Sequence, residues 1–313
     1  MSGYVLKIIA LLFFCATANA QEVKFGLPLK GVPGKDYFID YYVDHDPSEG
    51  IIDPFCGTKT YNGHTGTDML LRSFQTMDSG IYVYAAADGR VFEVHDGEYD
   101  RSKHWRGGGL GNHIGIIHRD TNCTYYGHLM KNSLLVKMGD SVKAGQPIGK
   151  VGSSGKSCYP HVHFEVRNKD NKIIDPFYGE CNSKTTSLWI SQPLYDTAVY
   201  SIENGFVPYV PNLDTLLERY LVTDTFYVNK DTTVCFWILM HGLRSGDNTH
   251  IEWFTPSGLQ WFTFDYKWKL NWWYDYTWFT IKMPETKGKW KAKYYVNRKL
   301  IASHNFYVRK HKS

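Results

Sequence analysis

The sequence predicts a mainly β protein in two parts, an antiparallel β-sheet domain followed by a C-terminal Ig-like β-sandwich. Three observations point there. Helix signals are scarce, the one candidate being Asp214 to Tyr220. Short runs of β-branched and aromatic residues recur, broken by Gly, Asn and Asp. Composition shifts after about residue 182, where tryptophans crowd. The 313 residues suffice for two domains, and 43% hydrophobic content supports two cores.

Residues 1–20 read as an export signal. Lys7 supplies the positive start, Ile8 to Phe14 the apolar stretch, and Ala18-Asn19-Ala20 an A-x-A cleavage site near Ala20. The stretch is too short to span a bilayer, which takes about 20 apolar residues, and no other segment is long and apolar enough. Phe14 precedes Cys15 where a lipoprotein signal has a small residue, which argues against lipidation. The expected location is secreted or periplasmic.

Residues 21–182 form the first domain, with its core over 55–180. Within it Val83 to Val94, His113 to His118, Thr124 to Leu129 and Val162 to Arg167 read as strands. Gly107-Gly108-Gly109 and Gly152-Ser153-Ser154-Gly155 read as loops. Residues 183–215 are expected to be a join and 216–313 the sandwich. Trp290, Ala292, Tyr294 and Val296 alternate with polar residues before an Asn297-Arg298-Lys299 turn, the period of a hairpin strand.

Five cysteines follow the leader, an odd number, and export favours disulfides. Cys158 is expected to pair with Cys181 and Cys56 with Cys123, leaving Cys235 as a buried thiol. No two cysteines have short ligand spacing, which excludes a Cys-rich zinc site. A net charge of +4, from 35 basic and 31 acidic residues, suits an anionic cell wall and is too dispersed to argue for nucleic acid.

The chemistry sits in two short segments. His64-Thr-Gly-Thr-Asp68 offers a nitrogen and an oxygen ligand, and His161-Val-His163 offers two imidazoles that share one strand face. Zinc takes such N and O donors, and a catalytic site needs three protein ligands plus an open position. Four candidates are present, so one histidine is left for acid–base or electrostatic work. His128, in Tyr125-Tyr126-Gly127-His128, lies between the segments.

The same residues carry a family resemblance. His64-x-x-x-Asp68, Ala86-Ala87-Asp88-Gly89-Arg90-Val91 and Gly111-Asn112-His113-Ile114 occur in order with Tyr126-Gly127-His128-Leu129. Val136-Lys137-Met138-Gly139-Asp140, Val142-Lys143-Ala144-Gly145-Gln146, Gly149-Lys150-Val151-Gly152 and Pro160-His161-Val162-His163-Phe164-Glu165 follow. Over residues 55–180 the chain resembles the lysostaphin/LytM-type zinc peptidases, which cut peptide bonds in peptidoglycan. The resemblance implies one zinc ion in the domain, held by His64, Asp68 and His163, with His128 and His161 as catalytic partners of a zinc-activated water. It implies a peptidoglycan stem or cross-bridge peptide as substrate. It leaves two alternatives, a glycine-rich extracellular protein such as elastin cut by the same chemistry, and a silent wall-binding or activator module.

The chain departs from the family at Cys158-Tyr159, where small residues precede Pro-His-x-His, and in the long Gly-rich segment His95 to Leu110. Tyr61 is a candidate for the tyrosine that assists in this family. His113 and His118 read as packing histidines, His95 and His104 as solvated, and Glu165 as an orienting or ion-paired group. The segment Lys267 to Tyr274 reads chiefly as sandwich core; the alternative is a platform for glycan strands. Adjacent Trp272 and Trp273 should point to opposite faces.

Overall fold

The computed structural model describes residues 22–104, 107–218 and 222–311; the expected leader of residues 1–20 lies outside them. The first domain runs through β1 (Phe38–Tyr41), β2 (Thr67–Leu70), a short α1 (Phe74–Asp78), β3 (Tyr82–Tyr84) and β4 (Gly89–His95). It continues through β5 (His113–Ile117), β6 (Cys123–Gly127), β7 (Ser141–Val142), β8 (Pro147–Lys150), β9 (His161–Arg167) and β10 (Ile173–Ile174). Eight of these strands make one antiparallel sheet in the order β1-β2-β9-β6-β5-β4-β7, with β10 on the edge of β9, while β3 and β8 pair separately.

β9 is a central strand, and its alternation divides two jobs. Val162, Phe164 and Val166 are fully buried on the core face, where Phe164 meets Phe25, Tyr126 and Trp189. His161, His163 and Glu165 take the other face. The strand expected over Val83 to Val94 is instead two. Between them, the amides of Ala85 and Ala86 donate to the Gln146 carbonyl and the Tyr126 hydroxyl rather than to a strand neighbour. The small alanines allow that close packing.

The second domain consists of β11 (Tyr200–Val207), α2 (Leu213–Glu218), β12 (Thr225–Val228), β13 (Thr233–Leu243), β14 (Asn248–Phe254), β15 (Gln260–Lys267), β16 (Trp272–Lys282), β17 (Gly288–Val296) and β18 (Lys299–Lys310). A three-stranded sheet, β11-β13-β16, faces a five-stranded one, β12-β18-β17-β14-β15. Pairing is antiparallel except between β12 and β18. β11 arises within the stretch expected as a join and pairs along β13. The β17–β18 hairpin turns at Asn297 and Arg298, whose φ of 48° and 69° suit a tight turn with two left-handed residues.

β13 is apolar throughout because both its faces are covered. Val234, Phe236, Ile238 and Met240 fill the sandwich, whereas Cys235, Trp237 and Leu239 join the core of the first domain together with Tyr274 and Tyr276 of β16. Hydrogen bonds cross the same interface: Tyr274 and Tyr276 hydroxyls donate to the Leu71 and Arg72 carbonyls, and the Trp273 indole to the Thr58 carbonyl, at 3.0–3.2 Å. Trp273 is 7% exposed and its neighbour Trp272 is 38% exposed, on opposite faces of β16.

The cysteine pairing differs from expectation. Cys56 bonds to Cys181, and Cys123 and Cys158 are free thiols, as is buried Cys235. The turn at Asp53–Gly57 packs onto the segment at 179–181, where the Cys181 amide donates to the Pro54 carbonyl, so these two Cα atoms lie 5.2 Å apart. Cys158 lies elsewhere, on the wall of the histidine cluster. The bridge closes a 125-residue separation, so chain entropy assigns it a stabilisation of about 4–5 kcal/mol. Mass spectrometry of the unreduced protein should recover a Cys56–Cys181 linked peptide with Cys123, Cys158 and Cys235 alkylatable after denaturation. Reduction should lower the melting temperature by several degrees.

Candidate metal and catalytic site

β2 and β9 are paired so that Asp68 stands opposite His163 and Leu70 opposite His161. His64 approaches from the loop before β2. The ligand-type atoms of His64, Asp68 and His163 lie within 4.8 Å of one another, and all three residues are buried. Asp68 Oδ1 is 2.8 Å from His163 Nδ1 and 3.3 Å from His64 Nε2. Gly66 makes this approach possible: a Cβ there would lie 2.6 Å from the His163 ring and 2.7 Å from the Phe164 carbonyl. Any side chain at 66 would push β2 and β9 apart.

The far side of each ring is tied down. His64 Nδ1 donates to the Tyr42 carbonyl at 2.7 Å, which leaves the lone pair of Nε2 facing the cluster. His163 Nε2 faces Glu165 Oε2 at 3.3 Å. Glu165 in turn accepts from the Thr65 hydroxyl at 2.6 Å and from Arg167. Glu165 is therefore an orienting, ion-paired group, as the sequence suggested.

His128 and His161 flank the cluster, with ring centroids 4.6 Å apart. His128 Nδ1 donates to the Ser154 carbonyl and His161 Nδ1 to the Tyr159 carbonyl, both at 2.7 Å. Each Nε2 is thereby the unprotonated nitrogen of the neutral ring, and His161 Nε2 lies 3.7 Å from Asp68 Oδ1. His128 adopts φ of 61°, a left-handed conformation that lets the chain leave β6 sharply and carries the ring to the site.

Burial and charge set the protonation states. Burial pushes the His128 imidazole well below its usual range, helped by His161 and His163. Burial also lowers His161, against the pull of Asp68. Burial opposes charge on His163 too, but its hydrogen bonds to Asp68 and Glu165 win and raise it to about 9. Asp68 is held well below the usual carboxylate range because the surrounding histidines outweigh its burial.

The donor set fits zinc: two imidazole nitrogens and one carboxylate oxygen converge, and each ring's other nitrogen has an acceptor to hold it. Tyr41, Tyr61, Cys158 and Tyr159 line the space above, about 20 Å³, room for about one water. Tyr61 stacks beside His64 at 4.5 Å. The backbone acceptors of Tyr42, Ser154 and Tyr159 have no residue-type signature, and Tyr41 arrives from a strand outside every motif. Asn112 was visible only as part of a block; its amide donates to the Leu129 and Glu98 carbonyls and braces the turn into His128.

The remaining histidines are elsewhere. His113 and His118 donate from Nδ1 to the Gly111 and Asp88 carbonyls, and their Nε2 atoms lie 3.2 Å from Glu93 Oε1 and 2.9 Å from Thr124 Oγ1. His95 pairs with Glu98 and His104 with Asp214, both half exposed. His241 accepts at Nε2 from the buried Lys59 ammonium at 3.0 Å across the domain interface.

Comparison with known proteins matches residues 62–176 to peptidase family M23. The chain carries an M23 domain. Lysostaphin of Staphylococcus simulans is 32% identical over 158 residues, 50% of this chain and 26% of the relative. The peptidoglycan DD-endopeptidase ShyA of Vibrio cholerae is 36% identical over 109 residues, 35% and 21% of the two chains. The murein hydrolase activator NlpD of Escherichia coli is 35% identical over 131 residues, 42% and 29%. The chain spans about a quarter of the length of these curated relatives.

Glu165→Gln should lower the midpoint at which His163 loses its proton in metal-free protein from about 9, because one of the two acceptors that stabilise the cation becomes neutral. Imidazole NMR titration reads this; an unchanged midpoint would mean that Asp68 alone sets it.

Proposed function

We propose that the protein is an exported zinc metalloendopeptidase that hydrolyses peptide bonds in peptidoglycan stem or cross-bridge peptides. The observation that carries this reading is a convergence: His64, Asp68 and His163 bring their donor atoms together, and His128 and His161 stand beside them with Nδ1 tied to backbone carbonyls, His161 Nε2 lying 3.7 Å from Asp68. The M23 match and the peptidoglycan endopeptidase among the relatives support the reaction and the substrate.

Zinc bound there supplies Lewis acidity that brings the pKa of a water to about 7 and polarises a carbonyl. The protein's residues do the rest. His128 and His161 are neutral and hydrogen-bonded through Nδ1, so at Nε2 they accept the proton of the attacking water and later deliver it to the leaving amine nitrogen. Once protonated, an imidazolium at the same place stabilises the oxyanion. The Ser154 and Tyr159 carbonyls hold the tautomers through the cycle. Glu165 holds the His163 ring through Nε2, so that Nδ1, on the Asp68 side, is the nitrogen that would hold a metal.

Purified protein should contain about one zinc, release peptides from isolated sacculi, and lose that activity with chelator. His64→Ala and Asp68→Ala should lose both metal and cleavage. His128→Ala and His161→Ala should keep the metal and lose cleavage by about 10²–10⁴-fold. Cleavage of a glycine-rich protein in preference to sacculi would replace the substrate reading. Intact activity in a zinc-free His64→Ala variant would overturn the chemistry. Titrating zinc into metal-free protein at pH 7.5 should also release between about one and two protons, one from His163, which carries it up to about pH 9 and must give it up to bind metal, and the rest from the water whose pKa falls to about 7. Calorimetry in buffers of different ionisation enthalpy measures it.

A further inference from the structure

The basic charge is concentrated rather than dispersed. Residues 282–313 contain ten lysines and arginines against the single acid Glu285. Much of this segment is the β17–β18 hairpin, in the middle of the five-stranded sheet. On β17, Trp290, Ala292 and Tyr294 point into the sandwich, so Lys289, Lys291 and Lys293 stand together on the outer face, about 7 Å apart along the strand. They line a groove of about 370 Å³ with Asn305 of β18 and a wall made by Thr255, Pro256 and Gly258.

Among the described residues none of these three lysines makes an ion pair. Glu252, opposite Lys293 in register, is engaged by the Tyr295 hydroxyl at 2.7 Å and by His250. Lys293 rests its ammonium over the Phe254 ring in a cation–π contact, 4.7 Å to the centroid. Three like charges in a row, whose cross-strand partners include a carboxylate only at the already engaged Glu252, form a standing positive potential along a walled groove.

We propose that this row binds a linear polyanion bearing phosphate groups. The single-file spacing and the wall fit a chain laid along β17 better than a flat lipid surface. Of the rings flanking the row, Phe254 lies under Lys293, Tyr307 under Arg309 and Tyr295 against His250, while the open rings of the sheet, Trp261, Phe262, Phe264 and Tyr266, lie on β15, separated from β17 by β14, so single-stranded DNA is one arm of the test. The site stands on the opposite side of the sandwich core from the three-stranded sheet that packs on the M23 domain, so it is independent of the zinc chemistry. It would hold the enzyme on a phosphate-rich envelope polymer while the cleft works.

The test is binding of inorganic polyphosphate to the full zinc-loaded chain, measured by fluorescence anisotropy across a salt series. The triple variant Lys289→Gln, Lys291→Gln, Lys293→Gln should lose at least tenfold in affinity and make the log–log salt slope shallower by about 2, while its melting temperature and cleavage of a small soluble peptide stay unchanged. The single variant Lys291→Gln should lose a few-fold, which keeps the test valid if the triple variant folds poorly. A control carrying Lys169→Gln, Lys267→Gln and Lys269→Gln should bind as the parent does. An equal loss in the control, or binding of single-stranded DNA or anionic phosphatidylglycerol vesicles as tight as binding of polyphosphate, would overturn the proposal.

Discussion

The register between β2 and β9 is the constraint on which the site depends. It sets Asp68 across from His163 and Leu70 across from His161, so one carboxylate and two imidazoles meet on the face away from the core. Because side chains alternate, a slip of one residue would bring Val162 and Phe164 to the site and drive both histidines into the apolar interior. The slip is opposed from both sides. Phe164 is locked among Phe25, Tyr126 and Trp189, and Gly66 admits the His163 ring where no Cβ fits. Core packing and ligand geometry are thus one problem with one solution.

Within that frame, each histidine is given its state by what lies behind it. Backbone carbonyls accept from Nδ1 of His64, His128 and His161, and a carbonyl can only accept, so the tautomer follows. His163 is different because carboxylates stand on both sides of its ring and raise it to about 9. The same buried environment therefore favours neutral imidazoles at the two proposed proton carriers and a cation-holding position at the proposed ligand. Burial alone would lower all of them; the partners decide the sign.

The second domain forms part of the wall of the first. Cys235, Trp237, Leu239, Tyr274 and Tyr276 belong to the M23 domain's core, and each buried aromatic contributes roughly 1.5–3 kcal/mol of apolar burial. The Tyr274 ring also lies 5.8 Å from Tyr159, whose carbonyl holds His161, and its hydroxyl reaches the Leu71 carbonyl beside β2. Lys59 crosses the same boundary, buried with its ammonium on the Asp196 carbonyl and His241. The five-stranded sheet, with its lysine row and the exposed aromatic side chains of β15, is left facing solvent.

The sequence by itself determined what depends on local order. Period-two alternation gave the β17–β18 hairpin and the opposite faces of Trp272 and Trp273. The spacings His64-x-x-x-Asp68 and His161-x-His163 named the candidate donors, three of which the fold brings together. Only the tertiary structure decided what depends on distant segments meeting. It paired Cys56 with Cys181, not Cys123, because two turns 125 residues apart pack together. It split the expected Val83 to Val94 strand because Ala85 and Ala86 bond to Gln146 and Tyr126. It brought Tyr41 over the cluster, chose three backbone carbonyls as tautomer anchors, and gathered a modest net charge into one row. Residue type announces a donor or a charge; only the fold says which partner stands opposite it.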